Sequence, residues 1–218
     1  MKNLFFVVHP DDESIGCGAL IRHFKNKGET NYIAVMSIQS FKSLRNNEDI
    51  KANDRIADLK KSLKILNDNE EYFSFTDKSL SCIDEYNIVG FVDRLTKDLQ
   101  PDRVFMPWKS FHHDHRITHE CCLASTRIGN HNNSVEGYYF YDYPFYQFDN
   151  VYGEIYIELS ENEVEATVKS SSIYSDILDN KTSFSPYGIK HKFKSLGYEI
   201  GKPYATKIVL FKGVLELC

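Results

Sequence analysis

The chain of 218 residues lacks several features that mark whole classes of protein. It has only five cysteines, without framework spacing or a C-x-x-C pair, which argues against a disulfide scaffold and against a thiolate zinc knuckle. The net charge is −5 and no basic stripe is visible, so we expect no nucleic-acid partner. The apolar run from Leu4 to Val8 is too short for a membrane span or a secretory signal. We therefore expect a cytoplasmic protein without a membrane span.

Two familiar enzyme motifs are also missing. No G-x-G-x-x-G follows the first predicted strand, which argues against a nucleotide-binding oxidoreductase. His115 and His119 have the spacing of a zincin helix, but Arg116 stands where the glutamate of that motif is required, so we reject a zincin. The remaining composition, with 42% hydrophobic and 26% charged residues, is typical of a folded globular protein. Because no linker or repeat is visible, we predict a single domain over residues 1–218.

Predicted strands and helices alternate through the first 130 residues. The strands are Asn3 to Val8, Asn31 to Ile38, Tyr72 to Phe75 and Arg103 to Met106, and the helices are Ser14 to Asn26, Glu48 to Leu66, Ile83 to Leu99 and His115 to Ile128. This order predicts an α/β fold with a mainly parallel sheet and helices on both faces. The C-terminal third is expected to be β-rich, with strands at Val151 to Leu159 and Thr206 to Phe211 after the aromatic segment Tyr138 to Phe148.

A cluster of ionisable side chains, His9-Pro10-Asp11-Asp12-Glu13, begins where the first strand ends. In open α/β sheets, ligands bind at the carboxyl ends of the strands. Histidine and carboxylate ligands suit a catalytic zinc that keeps one position open, and neighbouring carboxylates can divide metal binding from proton transfer. The alternative is an acidic helix cap, since Asp and Glu are common where helices begin.

A second cluster, His112-His113-Asp114-His115 with His119, follows the strand that ends at Met106. Histidines three or four residues apart share one face of a helix. Asp114 could accept a hydrogen bond from an imidazole of this cluster and so fix its tautomer. The alternative is a surface loop in which Asp114 caps the next helix.

The two clusters together resemble the PIG-L / LmbE-like N-deacetylase family. The resemblance rests on His9-Pro10-Asp11-Asp12-Glu13 and His112-x-Asp114-His115, in that order and roughly a hundred residues apart. It covers about residues 3 to 130, and Arg55-Ile56-Ala57-Asp58 resembles the family's Arg-x-x-Glu helix. The resemblance implies a Rossmann-like sheet without a nucleotide cofactor. It also implies hydrolysis of N-acyl groups on sugars of the N-acetylglucosamine type.

The resemblance further implies a metal site and its ligands. His9, Asp12 and His115 are expected to bind zinc, and a site of two histidines and one carboxylate also accepts Fe(II). Asp11 is expected to be the general base.

The remaining roles implied by the resemblance concern the substrate. His112 is expected to stabilise or protonate the reacting amide. Asp114 is expected to orient His112 and to raise its pKa. Arg55 is expected to contact the substrate.

We therefore predict a zinc-dependent hydrolase that removes an N-acyl group, expected to be acetyl, from an amino sugar or sugar conjugate. Metal-activated water would attack the amide, with Asp11 as the general base. The alternative is a catalytically degenerate metal-binding or scaffold protein on the same fold. Intact Asp11 and His112 argue against it, because a non-catalytic protein has no chemical need for them.

Four other features carry expectations of their own. His119 is expected to be a packed or solvent-facing helix residue, and Cys121 and Cys122 are expected to pack in the core. The aromatic segment Tyr138 to Phe148 is expected to form core or interface. Trp108 is either a wall of the sugar site or plain packing.

Overall fold

The computed structural model of the protein describes residues 1–43, 47–127, 135–144, 148, 153–175, 177–178 and 183–214. Its strands are β1 (Lys2–Val7), β2 (Thr30–Ser37), β3 (Phe41–Lys42), β4 (Asp49–Ile50), β5 (Phe73–Thr76), β6 (Arg103–Pro107), β7 (Gly137–Tyr141), β8 (Glu154–Glu158) and β9 (Ala205–Gly213). Its helices are α1 (Asp12–Ile15), α2 (Gly18–Asn26), α3 (Ala52–Leu66), α4 (Glu85–Leu99), α5 (His113–Ser125), α6 (Glu161–Ser171) and α7 (Pro186–Glu199). Short 3₁₀ turns lie at Leu80–Cys82 and Ser172–Tyr174.

Seven of the strands form one sheet in the order β5-β2-β1-β6-β7-β9-β8. The five strands β5, β2, β1, β6 and β7 are parallel to one another, and β9 is antiparallel to both β7 and β8. β3 and β4 form a separate antiparallel pair in which Phe41 lies opposite Ile50. The predicted mainly parallel α/β sheet is confirmed.

Both faces of the sheet are covered by helices. Phe5 and Val7 of β1 pack into a core with residues of α2, α3, α6 and α7. Leu4 and Phe6 point to the other face, into a core with residues of α4 and α5. Because successive side chains of a strand point to opposite faces, a continuous apolar run is what a strand buried on both faces requires. The predicted helices on both faces are therefore confirmed.

Several element boundaries differ from those predicted. The helix predicted from Ser14 is divided into α1 and α2, which are separated by Gly16 and Cys17. A side chain at Gly16 would meet the Tyr141 ring, since a Cβ there would lie 2.7 Å from it. The helix predicted from Glu48 begins at Ala52, since residues 49–50 pair with β3. The helices α6 and α7 were not predicted from the sequence.

Three predicted segments reach beyond the described residues. They are the end of the helix His115 to Ile128, part of the aromatic segment Tyr138 to Phe148, and the start of the strand Val151 to Leu159. The described parts of these segments include most of α5, β7 and β8.

The chain leaves the neighbouring strands β1 and β6 towards opposite faces of the sheet. After β1 it continues to α2 on one face, and after β6 it continues to α5 on the other. A crevice opens where connections diverge in this way, at the carboxyl ends of the two strands. Both ionisable clusters lie at this crevice. Among the described helices, none is long and apolar enough to cross a bilayer.

Candidate metal centre

The turn after β1 is closed by hydrogen bonds between His9 and Asp12. The His9 amide donates to Asp12 Oδ2 at 2.8 Å, and the Asp12 amide donates to the His9 carbonyl at 3.2 Å. Between them Asp11 has a φ of +119°, a conformation that non-glycine residues rarely adopt. Such backbone strain is retained where the surroundings hold the residue in place, and it is concentrated at functional sites.

The second cluster meets the first because β6 pairs directly with β1. Ring centroids are 5.0 Å apart for His9 and His112, 5.4 Å for His9 and His115, and 5.1 Å for His112 and His115. One ligand nitrogen from each of the three imidazoles lies within 4.8 Å of the others. His9 and His115 are buried, whereas His112 is exposed.

Asp12 adds a carboxylate to this group of imidazoles. Its Oδ2 lies 3.3 Å from His115 Nε2 and 3.8 Å from His9 Nδ1. Burial opposes the ionisation of Asp12, but the adjacent His115 and His9 together hold its pKa below the usual value. His9, Asp12 and His115, the ligands expected from the sequence, therefore lie together as buried donors.

The donor set fits a divalent transition metal. Imidazole nitrogens and a carboxylate oxygen are the ligands of catalytic zinc sites. Three imidazole nitrogens within 4.8 Å of one another, with the Asp12 carboxylate beside them, are suited to a bound cation. His115 Nδ1 is buried and has no hydrogen-bond partner within the described part of the chain.

Asp114 contacts a different histidine from the one expected. Its Oδ2 lies 3.1 Å from His9 Nε2, and its Oδ1 accepts from the Ser79 hydroxyl at 3.1 Å. The hydrogen bond from His9 leaves His9 Nδ1 facing Asp12. A metal-binding histidine commonly has its second ring nitrogen held by a carboxylate in this way. The expectation that Asp114 orients His112 is therefore replaced by an orienting contact on His9.

The expected rise in the pKa of His112 is wrong. Although His112 is exposed at the surface, its ring is partly desolvated by the cluster, which lowers its pKa; the neighbouring His9 and His115 lower it further, while Asp114 and Asp12 only partly oppose them. The neutral imidazole is favoured as a result.

Asp11 has the opposite perturbation to Asp12. Burial raises the pKa of Asp11 well above its usual value, and the adjacent Asp12 raises it further, whereas Arg55 lowers it. The backbone amide of Asp11 donates to Glu13 Oε2 at 2.9 Å. A carboxyl group with a raised pKa beside a candidate metal centre is suited to proton transfer near neutral pH.

Arg55 braces the turn that carries Asp11. Its Nη1 donates to the Gln39 carbonyl at 3.0 Å, its Nη2 donates to the Pro10 carbonyl at 3.3 Å, and its guanidinium lies 5.1 Å from the centroid of the Phe41 ring. Arg55 is 4% exposed, yet it lines the same cavity as Asp11. Asp58, which follows it on α3, pairs with Lys61 at 2.8 Å.

The cavity at the crevice has a volume of about 400 Å³. Its polar lining includes His9, Asp11, Asp12, His112, His115 and Arg55, which places six of the seven predicted site residues around it. Asp114, the seventh, is not a lining residue and reaches the site through its hydrogen bond with His9. Volumes of about 300–1,000 Å³ are typical of small-molecule sites.

Sequence reasoning assigned no role to the buried network around Glu13. Glu13 Oε1 accepts hydrogen bonds from Ser62 at 2.5 Å and from the Tyr174 hydroxyl at 2.6 Å, and Ser62 also contacts Ser170 at 2.6 Å. Through its second oxygen Glu13 holds the Asp11 amide. No local signal marks Ser62, Ser170 or Tyr174, because they meet only in the folded chain.

The structure also tests the expectations for His119, the two adjacent cysteines and Trp108. His119 is packed, with Nδ1 at 3.0 Å from the Pro107 carbonyl, and burial lowers its pKa. Cys121 and Cys122 are buried in the core, as predicted. Trp108 packs edge-on against Phe140 and is not a lining residue of the cavity, so its role is packing.

The aromatic segment after Gly137 divides between two environments. Phe140 and Tyr141 are buried in the core, as expected. Tyr143 is buried too, but it lines the cavity, with its ring 4.8 Å from that of His115.

Fold and site together define an α/β protein with a histidine–carboxylate centre at the switch point of a mainly parallel sheet. The chain belongs to the PIG-L family. The family model, described as GlcNAc-PI de-N-acetylase, matches residues 4–126, which is more than half of the 218 residues. The resemblance inferred from the sequence is thus confirmed. No curated protein matches the chain.

Solved structures share the fold over almost the whole chain. N,N'-diacetylchitobiose deacetylase from Pyrococcus horikoshii has 19% identity and a TM-score of 0.73, covering 96% of this chain and 83% of that one. The A40926 pseudoaglycone deacetylase Dbv21 has 12% identity and a TM-score of 0.73, covering 98% of each chain. The 4-carboxy-2-hydroxymuconate hydratase GalB from Pseudomonas putida KT2440 has 11% identity and a TM-score of 0.69, covering 100% of this chain and 99% of that one. Since one of these is a hydratase, the fold alone does not decide the reaction.

Proposed function

We propose that this protein is a zinc-dependent hydrolase that removes an N-acyl group, acetyl in the simplest substrates, from an amino sugar or sugar conjugate. One observation carries the proposal. Asp11, with a raised pKa and a strained backbone, lines the same small cavity as the His9–Asp12–His115 group. Membership of the PIG-L family supports this reaction among those the fold can host.

His9, Asp12 and His115 are the proposed metal ligands. All three are buried, and Asp12 lies within 3.8 Å of a nitrogen of each histidine. His112 is exposed at the same cluster, which suits a residue that faces the substrate more than one that closes a metal shell. When bound, the ion would supply Lewis acidity for the amide carbonyl and lower the pKa of water, and Fe(II) could replace zinc in such a site.

Asp11 is the proposed general base. It would accept a proton from the attacking water, and its raised pKa brings its basicity closer to neutral pH. Glu13 and Arg55 position it, because one holds its amide and the other holds the preceding carbonyl. The strained backbone is thereby fixed with the carboxylate towards the cavity.

His112 is the proposed donor to the oxyanion that forms when water adds to the amide. A neutral imidazole still carries one N–H, so the lowered pKa of His112 is compatible with hydrogen-bond donation. The departing amine also needs a proton. Asp11 would return the proton that it took from water, whereas His112 could supply one only as the imidazolium, which its lowered pKa disfavours. Arg55 would contact the substrate from the wall of the cavity.

The test is an assay of metal-free protein reconstituted with one equivalent of zinc or Fe(II). A panel of N-acetyl amino sugars, sugar nucleotides and thiol-linked glucosaminides is incubated, and released acetate and free amine are both measured. We expect equal amounts of the two products, loss of both with a chelator, and loss of both in Asp11→Asn. Metal-loaded protein that binds a sugar of this panel but releases neither product would favour the alternative, a binding or scaffold protein.

A further inference from the structure

Part of the cavity is lined by apolar side chains that the proposed chemistry does not use. They come from separate parts of the chain and are Ile15, Phe41, Ile177, Leu178 and Phe184. We call Phe41, Ile177, Leu178 and Phe184 the apolar wall. Three of them are contributed by the connection between α6 and α7.

The apolar wall is anchored to the fold at its described residues. The amides of Ile177 and Leu178 both donate to the Tyr174 carbonyl, at 2.9 and 2.7 Å. Tyr174 is itself held by Glu13 in the buried network behind Asp11. Phe184 packs against the core and directly precedes Ser185, whose side chain caps α7. Three of the four wall residues, Ile177, Leu178 and Phe184, are therefore held to the fold by these contacts.

An unsubstituted amino sugar would use only part of this lining. Outside the histidine–carboxylate group, its hydroxyls could be met by Gln39, Arg55, Ser110 and the hydroxyl of Tyr143 among the described lining residues, and none of these belongs to the apolar wall. Arg55 donates from both Nη atoms to backbone carbonyls, while its buried Nε has no partner among the described residues and stays available to the substrate. Ser110 accepts from the His112 amide at 3.3 Å. A polar sugar alone would leave the apolar wall facing water.

We infer that the substrate carries an apolar substituent on the amino sugar and that the apolar wall binds it. The inference rests on the proposed function, because it concerns the same cavity. The apolar substituent could be attached at either of two places on the sugar, as an alkyl or aryl aglycone or as an N-acyl chain longer than acetyl. Both would present the same apolar surface to the wall. The substituent is bound by removal of apolar surface from water, so each buried methylene should raise kcat/KM about fourfold.

Two matched substrate series test the inference on zinc-loaded protein. In one, the acyl group is acetyl and the glucosaminide aglycone is methyl, butyl or octyl. In the other, the aglycone is methyl and the acyl group is acetyl, butanoyl or octanoyl. Free amine is measured throughout. We expect kcat/KM to rise at least tenfold from the shortest to the best member of one series, which identifies the attachment.

Variants assign the effect to the apolar wall. Phe184→Ala and, separately, Ile177→Ala should flatten the dependence on chain length while changing kcat/KM for the methyl N-acetyl glycoside less than about threefold. Tyr187→Ala is the matched control, since Tyr187 is 80% exposed and is not among the lining residues. Thermal unfolding verifies that each variant is folded.

The possible results distinguish a failure of the inference from a failure of the proposed function. If both series are hydrolysed with a flat or falling dependence on chain length, the inference is wrong and the proposed function stands. The inference is also wrong if the dependence persists unchanged in both wall variants. If no member of either series releases amine, the proposed function fails and the inference falls with it.

Discussion

Replacing Asp114 by asparagine should weaken metal binding. Asp114 accepts from His9 Nε2 at 3.1 Å, which directs the proton to that nitrogen and leaves the Nδ1 lone pair towards Asp12. An asparagine has nearly the same shape but can present its NH₂ to Nε2. The opposite tautomer would then be favoured, with the proton on the nitrogen that must bind the metal.

The size of the expected loss in zinc affinity follows from the loss of the carboxylate that orients His9. Changing the carboxylate that orients a metal-binding histidine typically costs about 10–100-fold in affinity, equivalent to about 1.4–2.7 kcal/mol. The Ser79 hydroxyl donates to Asp114 Oδ1 at 3.1 Å, and the asparagine oxygen can accept the same hydrogen bond, so the substitution should leave the protein folded. We therefore expect a weaker zinc complex without a comparable loss of stability.

The assay is competition for zinc with a chromophoric chelator at fixed pH. Asp98→Asn is the matched control, because Asp98 is an exposed carboxylate on α4. Ser79→Ala should give a smaller loss than Asp114→Asn, since it removes only the donor behind the carboxylate. Zinc affinity within twofold of wild type in Asp114→Asn would refute the reasoning. If affinity held while the alkaline limb of the pH–rate profile moved, His112 would be the true partner of Asp114.

Three further substitutions test the site. Asp11→Asn should keep its metal and lose about 10²–10⁴-fold in turnover. Because burial and Asp12 raise the pKa of Asp11 above 3.8, the substitution should also stabilise the chelator-treated protein, and the gain in stability should grow as pH rises above that value. A pH-independent difference in Tm would contradict this. Tyr174→Phe should lower the free energy of unfolding by about 1–3 kcal/mol in urea titrations, because Glu13 loses a buried hydrogen bond. Unchanged stability and turnover would mean that the Glu13 network neither stabilises the fold nor positions Asp11. His119→Ala should lower Tm while leaving zinc affinity within twofold, and loss of zinc would give His119 a role at the metal centre.

The sheet and the two clusters could be read from the sequence because their signals are local. A run such as Leu4 to Val8 predicts a buried strand, and ionisable side chains directly after a strand lie at its carboxyl end. Since β1 and β6 are neighbours, His9 and His115 meet as expected.

The finer contacts depend on geometry that the sequence does not contain. The predicted helix began at His115, but α5 begins at His113, which places Asp114 in the first turn and beside His9, 105 residues away. Likewise, Tyr174 reaches Glu13 across 161 residues. The apolar wall was missed because α6 and α7, which flank it, were not predicted. The capping box of Ser160 and Glu163 at the start of α6 was a readable signal.

The most direct test of the account is anomalous diffraction from crystals of the zinc-loaded protein. The account predicts one ion per chain, bound by His9, Asp12 and His115 at about 2.0–2.2 Å, with His112 beside the open position and not bonded to the metal. The competing arrangement is a site of three imidazoles, since ligand nitrogens of His9, His112 and His115 lie within 4.8 Å of one another. An ion bound by His112 in place of Asp12, or one held without His115, would contradict the account.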